Sequence, residues 1–408
     1  MSSQNRYVFV ACGDDVHIET LHFSLRYLKH FSRFDIVVVT DRLRNNLEIE
    51  HNNVIDIETP AHLNNHEASI YLKTSLHKIV DLDFNYCYLD TDVIAIREGV
   101  DKIFSQQTGP ISFASDHCNL QKFSPYAVNC GCLDKALEKQ RQLEDLQEKY
   151  MPNSDSEGPD IKETTRELKG LFKNVYGHPF SNFPLIAKSL FVKYVSPSRY
   201  FQFTEKFRYD KQERVWLDDQ DNIILYDTSM YFKKIEENST FKFNRVTRQW
   251  MDESGKKIYN TECDHLREAI KSKFTVDISN GKWRHWSGGV FLFNKSSEDF
   301  LNAWHDSTMA ILKDQAWKTR DQGTLALCTW KFNLQNQKRL DQEFNFIADY
   351  YDYSLQFDPK EGYSNQNTKA STSPYFIHVY HEFGSKGWSI WDSILDVLSE
   401  KPDPVETV

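Results

Sequence analysis

The sequence predicts an α/β protein on a mainly parallel, Rossmann-like sheet, with a helical excursion and a β-hairpin-rich insertion. Three observations predict it. The first 115 residues alternate between strand-like and helix-like patterns. Asp35–Thr40 (DIVVVT) is a continuous β-branched run, the kind buried on both faces of a parallel sheet. After a long polar and aromatic middle stretch, core character returns at residues 283–300. Strand–helix alternation of this kind puts helices on both faces of the sheet.

In chain order, Tyr7–Ala11 is a short buried strand. His17–Phe31 has helical spacing, with Leu21, Leu25 and Leu28 on one face. Asp35–Thr40 and Asn53–Ile57 read as strands, Ala68–Val80 as one helix, and Tyr86–Leu89 and Ile111–Ala114 as further strands. From Asp134 to about Lys173 the chain is charged and helical, with a thin stripe from Leu133, Leu137, Leu143, Leu146 and Tyr150. PNSDSEGP at 152–159 is a loop signal.

Residues 201–262 carry a faint repeat at an offset of 34. Tyr209-Asp210 with Arg214-x-Trp216-Leu217-Asp218 matches Phe243-Asn244 with Arg248-x-Trp250-Met251-Asp252. Each copy reads as a β-hairpin. Ser287–Asn294 (SGGVFLFN) is a core strand, and helices are expected at 297–313 and from Arg320-Asp321-Gln322-Gly323 onward. Tyr375–Tyr380 is a late strand and Trp388–Leu398 a closing helix. The expected organisation is a core at 1–132 and 283–398, a helical excursion at 133–200, an insertion at 201–282 and a tail at 399–408.

The chain has 408 residues, 40% hydrophobic and 26% charged, the balance of a globular protein. Its net charge is −10 with no Lys/Arg cluster, which argues against nucleic acid or an anionic membrane as partner. No stretch approaches the ~18 apolar residues of a membrane span. Tyr7–Cys12 is too short for a signal-peptide core. A cytoplasmic protein is expected; peripheral membrane contact would fall to the 388–398 helix, which reads first as a core helix. Seven cysteines, an odd number, do not form a secreted disulfide framework. Cys130-Gly131-Cys132 is too tight for a usual zinc knuckle.

The strongest chemical signal is Asn85-Tyr-Cys-Tyr-Leu-Asp90-Thr-Asp92. Two carboxylates sit two apart, directly after an apolar strand. At the C-terminal end of a parallel strand such residues open into the ligand crevice. Oxygen donors there suit Mg²⁺ or Mn²⁺ holding a diphosphate. The other two triplets, Asp81-Leu-Asp83 and Asp219-Gln-Asp221, follow no apolar strand. His378 and His381 are late candidates for a third ligand; three apart on a strand, they face opposite ways. Trp283, Trp286 and Trp388 offer sugar platforms, with core packing as the alternative.

Four segments in order resemble GT-A type retaining glycosyltransferases, the family-eight group of glycogenin and the lipopolysaccharide galactosyltransferases. They are the opening strand with Cys12-Gly-Asp14-Asp15, Tyr88-Leu-Asp90-Thr-Asp92, Ser287–Asn294, and His381-x-x-Gly384-x-Lys386-x-Trp388. The resemblance covers roughly residues 1–120 and 283–395. It implies a nucleotide-diphospho-sugar transferase fold and a metal-dependent transfer from a UDP-sugar to a hydroxyl of a saccharide, glycoconjugate or protein acceptor, with retention. It implies Asp14 or Asp15 at the nucleoside, Lys73 near the diphosphate, and Asp90, Asp92 and His381 around Mn²⁺ or Mg²⁺. Asp321 and Gln322 would lie at the reacting sugar, and Gly384 and Lys386 at the diphosphate. Two departures stand out: Ser287 replaces an Asn, and the last motif is one residue short with Gly387 in place of Pro. A non-catalytic nucleotide-sugar or glycan-binding protein is the alternative. A nucleotidyltransferase fits less well, because the segment after the first strand is acidic where that class has a basic, Gly-rich loop.

Overall fold

A computed structural model describes residues 4–150, 159–226, 228–365 and 370–399. Loop positions 152–158 and tail positions 400–408 lie outside the described residues. The chain forms two compact units, residues 1–131 with 262–408, and residues 132–261.

The first unit is a mixed α/β structure on a mainly parallel sheet. β1 (Asn5–Val10), β2 (Asp35–Thr40), β3 (Val54–Asp56) and β4 (Asn85–Leu89) run parallel in the order β3-β2-β1-β4. Strand Arg284–Phe293 pairs antiparallel with β4, and β6 (Ser112–Asn119) lies antiparallel on its other side. Residues alternate between the two faces. Val8, Tyr88 and Phe291 enter one apolar cluster. Tyr7, Cys87 and Val290 enter the other. Burial on both faces explains why DIVVVT reads as an unbroken apolar run.

Helix α1 (Asp15–Phe31) packs Leu21, Leu25 and Leu28 inward, as the spacing predicts. The helix expected at Ala68–Val80 is two: α2 (Asn65–Thr74) and α3 (Leu76–Ile79). An Asn64–Glu67 capping box starts α2. At Ser75 the chain leaves helical geometry, and the Ser75 hydroxyl donates to the Tyr71 carbonyl at 2.6 Å. Such back-bonding competes with helix continuation.

β5 (Val93–Ala95) joins a second sheet with Phe376–Tyr380 and Phe346–Asp349. Phe346–Asp349 and the strands Leu355–Asp358, Gly362–Asn365 and Ala370–Thr372 were not expected from the sequence. They are three or four residues long, too short for an alternating pattern to stand out from chance. The closing helix Ser389–Ser399 buries Ile390, Trp391 and Ile394, as a core helix does. Trp283 and Trp286 are also core residues, so neither offers a free sugar platform.

The second unit holds helices Cys132–Tyr150, Pro159–Gly177 and Phe183–Tyr194, a four-stranded antiparallel sheet over 200–226, helix Thr228–Glu237, and a hairpin of Lys242–Asn244 with Gln249–Met251. Both repeat copies are hairpins. Arg214 and Arg248 take the same left-handed φ of 55°. Asp210 and Asn244 each accept two backbone N–H bonds across the turn. Asp218 and Asp252 likewise cap the next turn. The repeat therefore encodes turn chemistry. Of the expected helical stripe, Leu143 is fully buried and Leu137 is exposed.

Candidate active site

The site lies at the C-terminal ends of β1 and β4. Asp90 follows β4 directly, and its backbone N–H donates to the Gly289 carbonyl at 2.8 Å. The antiparallel strand 284–293 thus lies under the metal-type triplet. A Cβ at Gly289 would stand 2.5 Å from His378 Cε1 and 2.9 Å from Asp90 Oδ2, so only glycine fits. Gly288 faces the Gln322 amide oxygen and Lys73 Nζ. The unusual Ser287 is buried, and its hydroxyl accepts from the Gly289 N–H at 3.3 Å.

Lys73, on α2, extends between two carboxylates. Its Nζ lies 3.2 Å from Asp90 Oδ1 and 3.2 Å from Asp321 Oδ2. Burial alone would push the ammonium pKa down, but the two carboxylates outweigh it and hold the lysine charged. Tyr88 donates to Asp90 Oδ1 at 2.5 Å. Burial, with Asp90 beside it, pushes the phenol well above its ordinary value.

Asp92 faces His378, with Oδ1 at 3.3 Å from Nε2. The second sheet makes this contact: His378 sits opposite Val93, and the Val379 N–H donates to the Asp92 carbonyl at 3.0 Å. The other ring nitrogen of His378 bonds Asn345 Oδ1 at 3.0 Å, which fixes the ring's orientation. Burial would raise the Asp92 carboxyl, but the imidazole outweighs it and holds it below the usual range. Burial would lower His378, and Asp92 holds it above the usual range.

The donors fit a divalent cation. Asp90, Asp92 and His378 bring ligand atoms within 4.8 Å of one another. Asp92 Oδ1 is buried, and beyond the His378 ring at 3.3 Å it has no hydrogen-bond partner among the described residues. An oxygen-rich set with one imidazole suits Mn²⁺ or Mg²⁺.

A cleft of about 390 Å³ joins these residues, lined by Asp14, Lys73, Asp90, Asp92, Asp321 and Gln322 among others. Asp14 bonds Asn65 Nδ2 at 3.0 Å at the cleft mouth. Gly13, at φ 98°, brings the turn against Asn65 so closely that a Cβ would overlap that side chain. Gln322 accepts the Gly288 N–H at 3.2 Å. Larger hollows occur beside Glu19 and Arg26, and beside Pro60 and Lys313, but neither gathers such a set.

Four expected residues are not in this group. Asp15 opens α1 and is exposed outside the cleft lining. His381 sits with Asp349 at 3.1 Å, one strand end away from the aspartate pair. Gly384 and Lys386 lie on the exposed loop beyond it. His381 and Glu382 both take left-handed φ, 62° and 47°, which turns the chain away after Tyr380. His378, the other late candidate, is the histidine brought to the aspartates, because strand pairing with β5 fixes its register. Tyr88 and Asn345 carried no sequence signal that singled them out.

Neither a protein-family model nor a curated protein sequence matches the chain. Among solved structures, it is similar to the bifunctional glycosyltransferase WbbM at TM-score 0.41 and 12% identity, covering 98% of this chain and 50% of that one. An active-site mutant of LgtC aligns at TM-score 0.38 and 10% identity over 98% of both chains. Mouse xyloside xylosyltransferase 1 aligns at TM-score 0.34 and 9% identity, over 92% of this chain and 97% of that one. The chain thus spans about half the length of WbbM. No described helix is long and apolar enough to cross a membrane.

Proposed function

We propose that the chain is a metal-dependent glycosyltransferase of GT-A type. It moves a sugar from a nucleoside-diphosphate sugar, a UDP-sugar first, to a hydroxyl of a saccharide, glycoconjugate or protein acceptor. The observation that carries this reading is the convergence of Asp90, Asp92 and His378 beside Lys73, Asp321 and Gln322 in one cleft.

Transfer needs the diphosphate leaving group stabilised as charge develops on it. Asp90, Asp92 and His378 would hold a divalent ion, which would supply that stabilisation without proton transfer. Lys73 adds a fixed positive charge in the same cleft, kept protonated by Asp90 and Asp321. Asp14, at the cleft mouth, is assigned to the nucleoside. Gln322, whose oxygen accepts the Gly288 N–H, is assigned to orienting the sugar through its amide N–H₂. With Asp15, Gly384 and Lys386 outside the lining, their proposed roles need movement of their segments toward the donor.

Retention is part of the proposal. The acceptor oxygen bonds to the anomeric carbon on the face the diphosphate leaves. The carbon–phosphate-oxygen bond breaks, and the acceptor proton passes to the departing diphosphate oxygen. No side-chain nucleophile is assigned. Acceptor choice is assigned to the aromatic, hairpin-rich insertion, residues 201–282.

The test is nucleoside-diphosphate release from a panel of nucleotide sugars, with candidate acceptors, in Mn²⁺, Mg²⁺ or chelator. Metal-dependent turnover with one donor supports the reading, and an inverted product anomer would remove retention. Donor binding without turnover on any acceptor would favour a binding protein.

A further inference from the structure

We propose a second metal site, a structural zinc site held by Cys130, Cys263 and His265. None of the three lines the cleft. Their ligand atoms lie within 4.8 Å of one another. Both cysteines are free thiols, and their sulfurs are 3.8 Å apart. A disulfide would need about 2.05 Å. Two thiolates on one tetrahedral zinc, each at about 2.3 Å, stand about 3.8 Å apart. The observed spacing excludes a disulfide and, though two thiols in hydrogen-bond contact also adopt it, is the one a shared ion requires.

The backbone is already arranged for it. The Cys263 N–H donates to the Gln121 carbonyl at 3.1 Å. Beside Cys130, the Asn129 N–H donates to the Ala316 carbonyl at 2.8 Å. His265 is the first residue of helix His265–Phe274, whose Leu266 N–H donates to Ser124 Oγ at 2.9 Å. That hydroxyl lies 3.2 Å from Cys263 Sγ. It accepts from the thiol, and would donate to a thiolate while still accepting from Leu266. Such a partner orients a metal ligand and tunes it.

The sequence spacing agrees with a shared site. Cys130-Gly-Cys132 and Cys263-Asp-His265 are two donor pairs with one residue between members. Gly131 takes φ 66°, the turn that a tight pair requires. Zinc takes four donors in structural sites, so these three leave one position for a further ligand. The pair spacing was too tight for a knuckle that draws both ligands from one turn. It is no obstacle when the second pair arrives from a distant segment.

Position gives the site a purpose. The chain leaves the first unit after Gly131 and returns at Glu262. Cys130 and Cys263 therefore flank the whole excursion, and a shared ion fixes its two ends together. Closing so long a loop restricts the unfolded chain most.

The test is the metal content of the full chain, purified without chelator, by mass spectrometry. About one zinc per chain is expected. It should be unchanged in Asp92→Ala, which separates it from the cleft, and lost in Cys130→Ser and in Cys263→Ser. Cys263→His should retain zinc, which guards against a variant that fails to fold. Cobalt added to reduced, zinc-stripped protein should give thiolate charge-transfer and tetrahedral bands. Substoichiometric zinc with no such spectrum would overturn the proposal. So would zinc that persists in both serine variants, or a Cys130–Cys263 disulfide in the protein as isolated.

Discussion

Lys73 Nζ lies 3.2 Å from Asp321 Oδ2, joining a helix near the start of the chain to one late in it. The same ammonium reaches Asp90, the residue that closes β4. One buried cation therefore couples the metal-type triplet to the Asp-Gln pair.

Lys73→Met should leave Asp90 and Asp321 facing a shared gap without a counter-charge. Turnover should fall by about 100-fold or more, the scale of losing one charge-stabilising group. The melting temperature should fall as well, because an unpaired buried charge is costly. Steady-state kinetics and a thermal melt check both. Unchanged turnover would remove Lys73 from the site.

His378→Ala and His381→Ala should separate cleanly. His378 meets Asp92 at 3.3 Å, and His381 meets Asp349 at 3.1 Å. Manganese affinity, read by electron paramagnetic resonance, should drop by at least about 10- to 100-fold in His378→Ala. It should stay within about threefold in His381→Ala, by the same measure. The reverse order would show that the loop after Tyr380 swings His381 onto the metal.

Gly289→Ala should abolish metal binding. Its Cβ would fall 2.5 Å from His378 and 2.9 Å from Asp90. Gly288→Ala is milder, since its nearest neighbour, the Gln322 oxygen, would stand at 3.3 Å. Paired metal titrations compare the two. Equal behaviour would contradict the packing described for the cleft floor.

His285 is fully buried and stacks on Phe123 at 4.7 Å. Burial pushes its pKa down to about 4. Above about pH 6.5 it is neutral in both the folded and the unfolded chain and contributes nothing to pH dependence. As pH falls from about 6.5, the unfolded chain takes a proton that the native state refuses, so stability drops. The loss ends near pH 4, after on the order of 3 kcal/mol. His285→Phe should flatten that acid limb relative to the wild type in denaturant titrations across the window.

Much of the core was legible because buried strands and amphipathic helices repeat their pattern over many residues. DIVVVT and SGGVFLFN could be read directly, and the offset repeat foretold two hairpins. The strands between 346 and 372 could not, since each is only three or four residues long, too short for an alternation to be told from chance. Asp90 and Asp92 were legible from their strand context. The partnership of His378 was not, because it depends on pairing between Phe376–Tyr380 and β5. The Cys130–Cys263 approach was equally invisible, since long-range contact leaves no local spacing to read.

The most direct measurement is calorimetric titration of UDP into the full chain, with Mn²⁺, with chelator, and into Asp92→Ala. Binding that needs Mn²⁺, and that weakens by about 100-fold or more in Asp92→Ala, is the expected result for a ligand held through the metal. Equal affinity in chelator, or an unaltered isotherm in Asp92→Ala, would contradict a metal–diphosphate site in this cleft.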